Sequence, residues 1–203
     1  VQTVVEHLRG PVLVVAAGSA VLPRFGTIDR VPLGLELIEL PGLEPRGTHG
    51  AAAYTSALVD QLNVLFKVRH VRKVVVIADR YETLAVSIAA AYNDIELVHL
   101  LGGEHSGNID DKVRWANSSL ADVHCVAHRS ASESLWPITA HKFDTVHVTG
   151  CPSADLVHRA LVERIADDAF LHRMHLHGTG AELTLGMPMI LGMYHPCGDD
   201  SFT

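Results

Sequence analysis

The chain has 203 residues, 48% of them apolar, enough to bury a real core and a length that fits one domain, or one and a part. Its 16 basic side chains stand against 23 acidic ones, a formal charge of -7, which leaves no broad basic surface for a phosphate backbone and argues against nucleic acid as a partner. Cys125, Cys151 and Cys197 are far apart and form no CxxC pair, which argues against a zinc knuckle or disulfide framework and fits a reducing cytoplasm. No apolar run approaches the roughly 18 to 20 residues that span a bilayer, so no membrane association is expected.

In chain order, the opening VQTVVEHLRG lacks the basic, apolar and small-residue zones of a signal peptide and reads as the last turns of a helix whose beginning is missing. PVLVVAA at 11–17 and GLELIEL at 34–40 read as strands, and a helix is predicted over 51–68. KVVVIAD at 73–79 predicts a strand, 81–92 a helix, ELVHLL at 96–101 a strand and 110–120 a helix. DVHCVA at 122–127 and DTVHVTG at 144–150 are further strands, with helices over 130–135 and 153–166. Several of these runs are continuously apolar, the pattern of a parallel sheet covered on both faces. The alternation predicts an α/β fold, a Rossmann-like open parallel sheet with right-handed crossovers. After residue 166 the chain turns polar and rich in histidine and glycine, reading as a linker over 167–186, and then MPMILGMY predicts one more strand.

The chemistry concentrates in LLGGEHSGNIDD at 100–111, where a glycine turn leaves an apolar run and places Glu104, His105, Ser106, Asp110 and Asp111 close together. Ligands of open α/β sheets sit beyond the C-terminal strand ends, and this turn is at that edge. Asp79, ending KVVVIAD, and His195, ending MILGMYH, are there too. Gly102 and Gly103 bring the backbone close to whatever fills the crevice, which favours a functional Glu104 over a solvated loop acid, though the glycines at 102, 103 and 107 could serve turn geometry alone. His105 reads equally as a base or as a hydrogen-bonding neighbour. Asp110 can cap the helix it opens and favour its positive end, and Arg114 lies four residues on, at the spacing of a helical ion pair.

Other readings fall away. There is no GxGxxG fingerprint, no GxxxxGK[ST] phosphate loop and no GxSxG nucleophile elbow. HRMHLH at 172–177 lacks a single helical face and a completing carboxylate or cysteine, so it reads as exposed linker and no metal is expected.

The stretch from VVIADRYETLAVSIAAAYNDIELVHLLGGEHSGNIDDKVRWANSSLADVHCV to VHVTGCPSADL resembles the hydrolysing UDP-N-acetylglucosamine 2-epimerases. The likeness is dense over 73–157 and thinner across VLVVAAGSAVLPRFG and MILGMYHP. It implies the N-terminal lobe of a two-lobed glycosyltransferase-B-like architecture, incomplete at both ends: a Rossmann-like lobe over 1–166, a linker over 167–186, and the start of a nucleotide-binding lobe over 187–203. The implied reaction eliminates UDP from UDP-N-acetylglucosamine and adds water to release N-acetylmannosamine, with no cofactor, in a cytoplasmic homo-oligomer that feeds nonulosonic (sialic-type) acid or surface polysaccharide synthesis.

By the same resemblance Asp79, Glu104, Asp110 and His195 are the catalytic positions. Glu104 and Asp79 would transfer protons, Asp110 would transfer a proton or stabilise cationic character at C1, and His195 would meet the leaving diphosphate. Gly102, Gly103, His105, Ser106, Asp111 and Arg114 would line the substrate, with Arg114 ordering the acidic loop. Acids sharing a cleft are expected to raise one another's pKa. The sequence departs from the family at Trp115, where histidine is usual, at Asn117, Ser118 and Ser119, where a lysine is expected, and after His195-Pro196, where Cys197, Gly198, Asp199 and Asp200 replace threonines and a glutamate. The competing readings are a truncated, non-catalytic relative acting as a binding or assembly module, and a glycosyltransferase of the same architecture.

Overall fold

The structure, a computed structural model, describes residues 2–21, 35–40, 47–140 and 145–163. Helices and short aliphatic strands alternate through them: α1 (Gln2–Val5), β1 (Leu13–Ala17), a 3-10 turn (Gly18–Val21), β2 (Glu36–Leu40), α2 (Gly47–Val68), β3 (Lys73–Ile77), α3 (Tyr81–Tyr92) and β4 (Glu96–Leu100). α4 (Ile109–Leu120), β5 (Val123–Val126), α5 (Arg129–Ser134), α6 (Trp136–Thr139), β6 (Val146–Val148) and α7 (Pro152–Glu163) follow.

All the strand pairs are parallel, in the order β3-β4-β5-β6, with β1-β2 as a separate ladder. A single continuous sheet was the expectation. Among the described residues the sheet comes in two hydrogen-bonded pieces, although Val15, Ala17 and Leu40 of the smaller piece pack on the same core as β3 and β4. β3 and β4 run in register from Lys73 opposite Glu96 to Ile77 opposite Leu100, so their C-terminal ends are level and their following loops emerge side by side.

Packing follows from spacing. Tyr54, Leu58, Leu62 and Phe66 recur every four residues on α2 and form one buried stripe. It meets Val74 and Val76 of β3, Leu97 of β4, and Ala85, Ala89 and Ala90 of α3, whose small side chains let the layers approach. Leu58 and Leu62 are each 1% exposed, and burial of that extent contributes about 1.5–3 kcal/mol per side chain. A second cluster of Val126, Ala131 and Leu135, with Trp115, Ile138 and Val146 against it, seats α4 and α5 beside β5 and β6.

Local differences from expectation have local causes. α4 begins at Ile109 because Asn108, not Asp110, is its cap, with the Asn108 side chain accepting from the Asp110 N–H at 2.9 Å. The helix predicted over 130–135 ends at Ser134, and a separate turn begins at Trp136 with Pro137 in its first positions. β6 keeps three residues, with His147 and Val148 exposed. The linker over 167–186, the strand MPMILGMY and His195 lie outside the described residues.

Candidate active site

Two adjacent strand exits carry unusual backbone. Ala78, just past β3, and Leu101, just past β4, hold φ of 63° and 64°, the left-handed region that side chains with a Cβ avoid at a cost of about 1–2 kcal/mol each. Buried polar groups hold the first. The Ala78 carbonyl accepts from His99 Nε2 at 2.9 Å and from Asn117 Nδ2 at 3.3 Å, and its N–H donates to the Leu100 carbonyl at 2.9 Å. Since a carbonyl can only accept, His99 carries its proton on Nε2, and Nδ1 accepts from the Ser118 hydroxyl at 2.9 Å. Burial pushes the His99 pKa down, which favours this neutral ring. The twist at Ala78 turns the next residue, Asp79, toward α4.

Asp79 meets Arg114. The guanidinium, with its side chain 8% exposed, donates through Nη2 to Asp79 Oδ2, and through Nη1 to Asp111 Oδ1 and to the Glu104 carbonyl, both at 2.7 Å. One buried cation thus ties the β3 exit, the 102–104 turn and the first turn of α4 together. The i to i+4 spacing suggested Asp110 as its partner. Arg114 instead pairs with Asp111, three residues back, and with Asp79 at the β3 exit.

Asp111 is the most heavily hydrogen-bonded acid of the loop. It accepts from the Ser106 N–H at 2.7 Å, the Ser106 hydroxyl at 2.8 Å and the Gly107 N–H at 2.8 Å, besides Arg114. These donors, led by the two backbone groups, pull its pKa down to about 2. For Asp111 this reverses the expectation that clustered acids raise one another's pKa, since donors surround it more closely than acids do.

Glu104 is positioned through its main chain. Its side chain, 40% exposed, places Oε1 3.9 Å from Nε2 of His128, which caps α5. Gly102 and Gly103 permit this close layering. A Cβ on Gly102 would fall 2.8 Å from Ser118 Oγ and 3.0 Å from His99 Nδ1. One on Gly103, at φ 79°, would fall on the Ala131 carbonyl.

The other expected residues spread outward. His105 is exposed and its ring lies 5.6 Å from that of Trp115, so the residue that departs from the family pattern packs on a loop histidine. The Ser106 hydroxyl serves Asn108 and Asp111 within the loop. Asp110 sits in the first turn of α4, half-buried, outside the set gathered by Arg114.

Sequence reasoning passed over His128 and His99, and read Asn117 and Ser118 only as departures from the family pattern. His128 follows the end of β5 by two residues, as Asp79 follows β3, so the strand-exit rule already applied to Asp79 would have found it. Among the described residues no group of three or more His, Cys, Asp or Glu side chains is placed to hold a metal ion, and no helix is long and apolar enough to cross a membrane. An apolar groove of about 520 Å³ between α2 and α3, lined by Ala51, Thr55, Val59, Tyr81, Leu84 and Ile88 among others, is separate from these acids.

A parallel α/β lobe that gathers acids and an arginine beyond its strand ends has them where open α/β sheets bind ligands. The sequence profile of the UDP-N-acetylglucosamine 2-epimerase family matches residues 8–199, and the chain belongs to that family. It is 40% identical over 82 residues, 40% of this chain and 22% of the relative, to the UDP-N,N'-diacetylbacillosamine 2-epimerase (hydrolyzing) of Legionella pneumophila. To the GDP/UDP-N,N'-diacetylbacillosamine 2-epimerase (hydrolyzing) of Campylobacter jejuni it is 30% identical over 124 residues, 61% of this chain and 30% of the relative. The fold matches the UDP-GlcNAc 2-epimerase of Neisseria meningitidis, solved bound to UDP-GlcNAc, with a TM-score of 0.65 at 19% identity, over 86% of this chain and 48% of that one. The chain therefore aligns with less than half the length of each of these proteins, and the solved neighbours are two-lobed glycosyltransferase-B-like enzymes of which it covers a part.

Proposed function

We propose that this chain is the acid-bearing lobe of a hydrolysing UDP-N-acetylhexosamine 2-epimerase, acting in nonulosonic (sialic-type) acid or surface polysaccharide precursor synthesis. In the reaction a base takes the proton from C2 of UDP-N-acetylglucosamine as the C1–O bond breaks and UDP leaves, giving a C1=C2 glucal. Water then adds, its hydroxyl to C1 and a proton to C2 on the opposite face, and N-acetylmannosamine is released. The observation that carries this reading is the convergence of Asp79, Asp111 and the Glu104 main chain on Arg114.

The geometry supports a division of labour. Glu104 has a half-exposed carboxylate fixed at its backbone, and among the described residues Arg114 holds its carbonyl and not its carboxylate, which suits a proton-transfer group. Asp79 accepts from Arg114 through Oδ2, and in this reading its other oxygen serves the substrate. Asp111, held by four donors, suits a scaffold that keeps the substrate loop in shape. Asp110, in the first turn of α4 and outside the set held by Arg114, suits proton transfer or stabilisation of positive character at C1. His195 is assigned to the leaving diphosphate by resemblance.

The test is to incubate the full-length protein with UDP-N-acetylglucosamine and, separately, with UDP-N,N'-diacetylbacillosamine, the sugar nucleotide named for two of the relatives, and to follow UDP release. Release dependent on Glu104 supports the epimerase. Binding without release favours a non-catalytic module, and release only with an added glycosyl acceptor favours a transferase. The same proposal includes self-association, supported by Val64 and Val68, exposed one turn apart on α2, and a cytoplasmic setting, supported by the free thiols of Cys125 and Cys151.

A further inference from the structure

Among the described residues, the Glu104 carboxylate faces a titratable side chain from outside its own loop, His128, and the way that ring is held decides what it can offer. His128 is the N-cap of α5, with extended backbone at φ -152° and ψ 168°. Its Nδ1 accepts from the Ala131 N–H at 3.1 Å and lies 2.8 Å from the Ser130 hydroxyl. A backbone N–H can only donate, so Nδ1 carries no proton and the neutral ring must carry it on Nε2. That Nε2–H faces Glu104 Oε1 across 3.9 Å.

Close packing sets the separation of the two loops. Gly103, one residue before Glu104, lies directly on the Ala131 carbonyl, in the same turn whose N–H binds the His128 ring. The Glu104 backbone is fixed from the other side by Arg114. Both backbones and the capped His128 ring are therefore anchored, while the Glu104 side chain, 40% exposed, has room to change rotamer. Rotation of the Glu104 side chain, with the ring kept in its cap, would close the present gap to the roughly 2.8–3.0 Å of a charge-assisted hydrogen bond. A sugar filling the crevice and displacing water makes that contact more favourable.

We propose that His128 is a positioning residue for Glu104: its Nε2–H engages one carboxylate oxygen and leaves the other aimed at the sugar ring. This rests on the epimerase reading above. Because Nδ1 is committed to the cap, the ring orients the carboxylate and does not relay its proton.

Two amide substitutions separate the two ends of the ring. In His128→Asn the amide oxygen sits where Nδ1 was and keeps the cap, while nothing reaches Glu104. In His128→Gln the amide reaches the Nε2 position and the cap is weakened. With the full-length protein and UDP-N-acetylglucosamine, His128→Asn is expected to melt like the parent yet lose roughly ten- to hundredfold in kcat at little changed KM, the range set by one hydrogen bond to a charged group. His128→Gln is expected to melt lower yet recover most of the lost kcat. The reverse order, Asn active and Gln inactive, would make His128 a cap alone and overturn the proposal.

A readout independent of turnover accompanies this. Ring carbon and nitrogen resonances of His128 are expected to report the Nε2–H tautomer, with the Nε2 signal shifting in Glu104→Gln and the Nδ1 signal holding. A dominant Nδ1–H tautomer, or an Nε2 signal indifferent to Glu104→Gln, would overturn the pairing. A parent protein that released no UDP would end the epimerase reading, and the ring signals would still decide the His128–Glu104 contact.

Discussion

Arg114 and Asp79 are joined by a hydrogen-bonded ion pair between residues 35 apart in sequence, with side chains 8% and 17% exposed. The pair locks the exit of β3 to the face of α4, and the same guanidinium holds the Glu104 carbonyl between them.

Removing this cation leaves Asp79 without its charged partner, while Asp111 keeps its three donors from Ser106 and Gly107. Arg114→Met is expected to lower unfolding free energy by about 1.5–3 kcal/mol, the range for a lost hydrogen bond to a charged group. Arg114→Lys, with one point charge for three acceptors, recovers only part of it. Urea denaturation followed by circular dichroism measures both, and equal stability of the parent and Arg114→Met would show the network to be ornamental.

Gly103 tests the layering beneath Glu104. Gly103→Ala combines a left-handed φ of 79° with a methyl placed on the Ala131 carbonyl, so a loss of about 2 kcal/mol or more is expected. Gly107→Ala, at φ 80° but with open space around its Cβ, isolates the backbone strain and is expected to lose less. Comparing the two unfolding curves gives the packing contribution by difference.

The contrast shows how far the sequence could be read. β3 and β4 were legible because their apolar runs are continuous, and Asp79 and Glu104 followed from the rule that parallel strands deliver side chains at their C-terminal ends. Arg114 was legible as a residue but not in its partners, since helical spacing reports Asp110 while a strand 35 positions away supplies the stronger acceptor. Asn108 took the cap from Asp110 because the helix starts one residue earlier than the acids suggest. His99 was hidden inside an apolar strand, and its role depends on a backbone twist at Ala78 that no local pattern encodes.

His99 gives the fold a pH signature. Its folded pKa lies below the ordinary 6.5 because burial disfavours the imidazolium, so the unfolded chain binds the proton more readily. Its contribution is therefore complete above about pH 6.5 and is lost as pH falls below that value. Thermal melts from pH 8 to pH 5 should fall more steeply for the parent than for His99→Gln, and parallel curves would exclude His99 as the source.

Asp111 acts in the opposite range. With its folded pKa near 2 against an ordinary 3.8, its contribution is present above about pH 4 and disappears as pH falls toward 2. The side-chain carboxyl carbon of Asp111 should titrate with a midpoint near 2 by NMR. In Asp111→Asn the Ser106 and Gly107 amides should lose protection from hydrogen exchange, and unchanged exchange would mean that the loop holds its shape without them.

The reaction itself is tested most directly in heavy water. If elimination and hydration occur at the Asp79–Glu104 crevice, N-acetylmannosamine formed in D2O by the full-length protein carries one deuterium at C2, and Glu104→Gln, still folded, forms neither this product nor UDP. Product that retains its original C2 hydrogen, or undiminished UDP release by Glu104→Gln, would contradict the mechanism.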